Sequence, residues 1–83
     1  MNFEFSKHAL EQMELRKISK NVVEKILSKP EQIKDEEGKK VYQSIAENGK
    51  YLIRIFVNDK KNPNLVITVY KTSKIRKYYE GKI

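Results

Sequence analysis

The chain contains no cysteine, so neither a disulfide nor a thiolate metal site can stabilise it. It has a single histidine, His8, which excludes a metal centre built from histidine and cysteine, and its acidic residues show no ligand spacing. The three glycines stand apart, so there is no glycine-rich phosphate loop. No nucleophile motif of the serine or cysteine hydrolases is present. No metal or organic cofactor is therefore expected. No apolar run approaches the roughly 20 residues needed to span a bilayer. The opening Met1-Asn2-Phe3-Glu4-Phe5 carries an acid where a secretory leader carries positive charge. The expectation is a cytoplasmic chain with no membrane partner.

What is present is charge, and it is unevenly placed. The 83 residues form one small domain, 1–83, with net charge +7. Residues 1–49 hold nine Lys/Arg and nine Asp/Glu. Residues 50–83 hold nine Lys/Arg against Asp59 and Glu80, so the whole excess lies in this last part. Such asymmetry points to an anionic partner, either nucleic acid or an acidic protein. A chain of this size buries only about 60–65% of its unfolded surface, so its core is small.

Local patterning places the elements. Phe3 and Phe5 flank Glu4 as an extended lead-in. Ser6 is positioned to cap a helix over Lys7–Lys17, and Ser19 a second helix that Pro30 ends. On the first helix, Ala9, Met13 and Leu10 form an apolar stripe beside a polar one of His8, Gln12 and Arg16. Val22, Val23, Ile26 and Leu27 give the second helix its buried face. Ile33 sits in a polar stretch that reads as an edge strand or loop, followed by a turn at Asp35-Glu36-Glu37-Gly38.

Alternation then predicts strands over Val41–Ala46, Tyr51–Val57 and Leu65–Lys71, joined by the Asn48-Gly49 hairpin and by a loop holding Pro63. In the last strand, Leu65, Ile67 and Val69 are expected on one face and Val66, Thr68, Tyr70 and Thr72 on the other. Ser73–Tyr79 fits either a short helix or a strand. The expected fold is α+β, with two N-terminal helices packed on one face of a three- to four-stranded antiparallel sheet. The other face is left partly open and carries Arg54, Thr68, Tyr70 and Thr72.

The residues that could act on a substrate suit a phosphodiester cut without a metal. RNA supplies its own nucleophile, the 2′-hydroxyl. An enzyme then needs a proton acceptor, a proton donor for the leaving 5′-oxygen, and cations for the charge growing on phosphorus. His8, Tyr70, Lys71 and Lys74 can exchange protons, and Arg16, Arg54 and Arg76 can fork onto phosphate oxygens. Tyr42, Phe56, Tyr78 and Tyr79 can stack on bases. Structural roles compete with these. Arg54 can lay its methylene stem over the sheet, and Tyr78-Tyr79 can pack the tail onto the core.

The residues Phe5-Ser6-Lys7-His8-Ala9, Met13, Arg16-Lys17-Ile18-Ser19, Val22-Val23 and Pro30, with the strand Val66-Ile67-Thr68-Val69-Tyr70, carry a resemblance. Together they resemble a small bacterial and archaeal domain with the pattern H-A-x3-M-x2-R-x-I-S and a meander ending V-x-T-V-Y. Such domains are similar to the RelE/ParE and BrnT toxins and to the barnase–EndoU–colicin–RelE group. The resemblance spans roughly residues 5–72. It implies a RelE-like fold, two helices on a curved antiparallel sheet with a ribonuclease site on the open face. It also implies His8, Arg16, Thr68 and Tyr70 as site residues.

The expected activity is thus a metal-independent endoribonuclease, the toxin of a toxin–antitoxin pair. His8, Arg16, Arg54 and Tyr70 are the catalytic candidates, and Thr68, Lys71, Thr72, Lys74 and Arg76 the substrate-binding ones. The expected partners are RNA and an acidic antitoxin, with the free chain a monomer or weak homodimer. The alternatives are a noncatalytic nucleic-acid-binding domain and an antitoxin-binding interaction module.

Overall fold

The structure, a computed structural model, describes residues 2–81. Its elements run β1 (Phe3–Phe5), α1 (Lys7–Leu15), α2 (Lys20–Ser28), β2 (Gln32–Glu36), β3 (Lys39–Ala46), β4 (Tyr51–Asn58), β5 (Asn64–Thr72) and α3 (Ile75–Tyr78). The five strands form one mixed sheet in the order β1-β5-β4-β3-β2. The fold is α+β as expected, but the sheet is larger than three or four strands and not wholly antiparallel. The lead-in Phe3–Phe5 is a strand, paired in parallel with Asn64–Val66. Gln32–Glu36 is the opposite edge, joined to β3 through a two-residue turn in which Glu37 and Gly38 both have positive φ. The segment after Thr72 is a short helix.

Ser6 holds the N-terminal half in place. Its hydroxyl accepts from the Ala9 N–H at 3.0 Å, capping α1, and donates to the Ile67 carbonyl at 2.9 Å. Its own N–H donates to the Val66 carbonyl at 3.0 Å. The edge of β5 is therefore handed from β1 to the start of α1 at this one residue. A cap of this kind contributes about 1 kcal/mol. Helix α1 stops two residues before the expected Lys17. Lys17 takes a left-handed φ of 57°, and the N–H groups of Lys17 and Ile18 return to the carbonyls of Glu14 and Met13. This 5→2 and 6→1 pairing ends the helix and turns Ile18 inward against Met13.

The core lies between the two helices and the sheet. Ala9, Met13, Ile18, Val23, Ile26 and Leu27 pack against Ile53, Ile55, Val57, Val66 and Val69. Each fully buried Val, Leu, Ile or Met side chain among these contributes about 1.5–3 kcal/mol. Leu10, expected in the stripe, is 46% exposed. The alternation predicted for the last strand also needs correction at Val66. The register shifts between Phe56 and Val57, so Phe56 pairs with Thr68 and Val57 with Val66, which leaves Ile67 without a partner. This extra residue puts Val66 and Val69 on the same, helix-facing side. Beyond the bulge the expected parity holds, with Tyr70 opposite Arg54 and Thr72 opposite Leu52.

Candidate functional site

Arg54, Leu52 and Phe56 project from β4 away from the helices, on the face expected to be open. That face is covered in its centre. Val41, Leu52 and Ile75 are buried apart from the main core, and α3 with the following residues crosses the sheet. Arg54 is 1% exposed. A guanidinium cannot be desolvated at that depth without partners, and the register supplies them. Gln43 and Tyr70 are its direct cross-strand neighbours on β3 and β5. Arg54 Nε donates to Gln43 Oε1 at 2.9 Å and Nη1 to the Tyr70 hydroxyl at 2.9 Å. Its Nη2 donates to the Glu36 carboxylate in an ion pair reaching across from β2. The Tyr78 ring lies 4.2 Å from the guanidinium carbon, with the Phe56 ring at 5.4 Å.

The tail is tied down by the same network. The Tyr78 carbonyl accepts from Gln43 Nε2 at 3.1 Å and from Lys34 Nζ at 3.0 Å. Gln32 accepts from the Glu80 N–H at 3.1 Å, and the Tyr79 hydroxyl donates to Glu31 at 3.0 Å. Among the described residues no buried side-chain nitrogen or oxygen lacks a partner. Arg54 thus has its charge neutralised by Glu36 and no free edge to offer a phosphate. Its place is behind Tyr70, as the group that holds the phenol.

Tyr70 is half-buried and stacked on Phe56, ring centres 6.1 Å apart. Burial pushes its hydroxyl above the usual phenol range. The hydrogen bond from Arg54 pulls it down, and the nearby Tyr78 hydroxyl adds to the rise. Because its oxygen accepts from Arg54, the Tyr70 proton is turned away from the guanidinium, on the side of the Tyr78 hydroxyl. The folded chain holds this proton more tightly than the unfolded one. Its contribution to stability is whole below pH about 10 and is lost as pH rises through the folded value. Denaturant melts between pH about 9 and 11 are expected to fall less steeply for Tyr70→Phe than for the parent chain, and equal slopes would contradict this linkage.

The remaining candidates divide by position. Thr68 and Thr72 share the face of Tyr70 and are half-buried. Lys71 points to the other face, where it pairs with Glu47 at 2.8 Å and lies 4.8 Å from the centre of the Tyr51 ring. Lys74 and Arg76 are exposed beyond the end of β5. His8 and Arg16 are exposed on α1, with Arg16 Nε donating to Gln12 Oε1 at 3.2 Å. Neither is bonded to Arg54 or Tyr70. The structure joins Arg54 to Tyr70 directly and places His8 on α1 and Arg16 at its C-cap, on the helix packed against the opposite face of the sheet.

Glu36, Gln43 and the Tyr78 carbonyl were not among the candidates. Gln43 alone had a visible signal, as an amide centred between Val41 and Ile45 and in register with an arginine. No group of three histidine, cysteine or acidic side chains suited to a metal occurs among the described residues.

A family model described as a domain of unknown function, DUF4258, matches residues 5–71. The chain belongs to the DUF4258 family. The DUF4258 match takes in α1, α2 and β2 through nearly all of β5, and with them His8, Arg16, Glu36, Gln43, Arg54 and Tyr70. It stops before α3 and the residues that cover Arg54. No curated protein and no solved structure gives a significant match to this chain.

Proposed function

We propose that this DUF4258 domain is a metal-independent endoribonuclease, of the RelE-like toxin type, that acts in the cytoplasm and is held in check by an acidic antitoxin. The observation that carries the reading is Tyr70. Its hydroxyl is positioned by buried Arg54, itself neutralised by the half-buried Glu36, on the face of the sheet turned away from α1. A phenol fixed in this way has more structure behind it than packing requires.

In this reading RNA lies along β5. His8 takes the proton of the 2′-hydroxyl, its imidazole serving as the general base. The 2′-oxygen bonds to phosphorus as the bond to the 5′-oxygen breaks, and Tyr70 gives its proton to that leaving oxygen. Arg54 stabilises the phenolate left behind, and Arg16 meets the charge on the phosphate. Thr68 and Thr72 flank the strand as hydrogen-bonding groups. The charge excess of residues 50–83 draws the polyanion in.

Purified protein incubated with total RNA is expected to cut it with undiminished rate in a chelator, leaving 2′,3′-cyclic phosphate ends. Loss of cutting on chelation would remove the mechanism. A noncatalytic RNA-binding domain is the second reading, favoured by the lack of any bond joining His8 and Arg16 to the Arg54–Tyr70 pair. It predicts salt-sensitive binding and intact RNA in the same tubes.

A further inference from the structure

The far end of β5 and the β3–β4 turn enclose a cleft of about 420 Å³, lined by Gly49, Ser73, Lys74, Ile75 and Arg76. The sheet itself brings these walls together. Leu52 at the start of β4 pairs with Thr72 at the end of β5, so the turn over residues 47–50 and the corner at Ser73 are neighbours. The corner is held in shape by the Lys74 N–H, which donates to Thr72 Oγ1 at 3.0 Å, and by Ile75, which is buried beneath it.

The cleft has cations and a hydroxyl but no anion. Neither Lys74 nor Arg76 has an acidic side chain within ion-pair distance among the described residues, and the same holds for Lys50 beside Gly49. The nearest acid on the turn, Glu47, is taken by Lys71. Cations grouped in a concave wall without acids raise the local potential and draw in an anion. An arginine fork and a lysine point charge together suit a phosphate. Thr72 leads into this corner two residues beyond Tyr70 on the same face, about 7 Å along the strand.

We propose that this cleft is a phosphate subsite for single-stranded RNA, holding a phosphodiester next in the strand to the one at Tyr70. The inference rests on RNA being the ligand, and it adds the direction in which the strand leaves the site, down β5 toward the β3–β4 turn.

The test is binding of the full chain to a labelled 2′-O-methylated RNA oligomer, which cannot be cleaved, at several salt concentrations. The double variant Lys74→Ala/Arg76→Ala is expected to weaken binding about tenfold at low salt and to lessen the salt slope by about 1. Arg76→Glu alone, a second route to the same loss, is expected to weaken it at least as much. Lys60→Ala/Lys61→Ala removes equal charge from the loop at the opposite end of the sheet and is expected to leave the slope near that of the parent. Equal losses in the two double variants would mean diffuse attraction and would overturn the subsite, as would unchanged binding in Lys74→Ala/Arg76→Ala. Displacement of the RNA by a glutamate-rich peptide more readily than by unlabelled RNA would also overturn it, in favour of an acidic protein. Cutting of ordinary RNA is assayed apart. A parent chain that binds with this pattern but never cuts retires the enzyme and leaves the subsite standing.

Discussion

His8→Ala is expected to slow RNA cleavage at least about 100-fold, the usual scale for losing one acid–base group, while RNA binding and the melting temperature change little. The second half of that statement comes from the structure. His8 is exposed on α1 and makes no side-chain hydrogen bond among the described residues, so its removal leaves no cavity and no orphaned partner. Its neighbour Ala9 carries the packing and Ser6 carries the cap. The measurement is the single-turnover rate on a defined RNA, with binding followed in parallel on an uncleavable analogue. Full cleavage by His8→Ala would remove the proposed base.

Arg54→Ala is expected to destabilise the fold by about 3–5 kcal/mol, because a large buried side chain is lost, a cavity opens beneath Tyr78, and buried Gln43 is left without its donor. For a domain of this length, each kcal/mol moves the melting temperature by roughly 4–8 °C, so the expected drop is from about 12 to 40 °C. Gln43, fully buried, loses the donor to its oxygen, and Tyr78 loses the cation beneath its ring. Arg54→Lys is expected to recover little, since an ammonium cannot fork to Gln43, Tyr70 and Glu36 at once. Arg54→Met paired with Glu36→Gln is expected to recover more, because no unpaired charge remains. Thermal melts by circular dichroism read all of these. A drop of only a degree or two for Arg54→Ala would show that the pair is a surface contact, contrary to its burial.

Much of the fold was legible because its signals are local. Ser6 and Ser19 cap the helices they were expected to cap, and β4 alternates without interruption. That Arg54 and Tyr70 share one face followed from that alternation, while their direct pairing comes from the register. Other features were not legible because they depend on distant partners. Phe3–Phe5 becomes a strand only through Asn64–Val66, some sixty positions away. The bulge at Ile67 has no glycine to announce it, and its apolar neighbours fit either parity. Glu36 reaches Arg54 from the last position of β2, although Asp35 and Glu36 read in the sequence as part of the turn. The roof over Arg54 comes from Tyr78, whose ring and carbonyl both act, and only the ring has a signature in the sequence.

The hold on that roof has a further consequence. Gln43 and Lys34 both grip Tyr78 by its carbonyl, and Gln32 binds the main chain at Glu80. Atoms common to all amino acids therefore do part of the fastening, beside the Tyr78 ring and the Tyr79 hydroxyl. A relative truncated where the DUF4258 match ends would keep the strands and lose the cover, and its guanidinium would stand in water beside the phenol. The same five-stranded frame can then serve as a sealed interior or a bare cationic floor, according to whether the twelve residues after the match are attached.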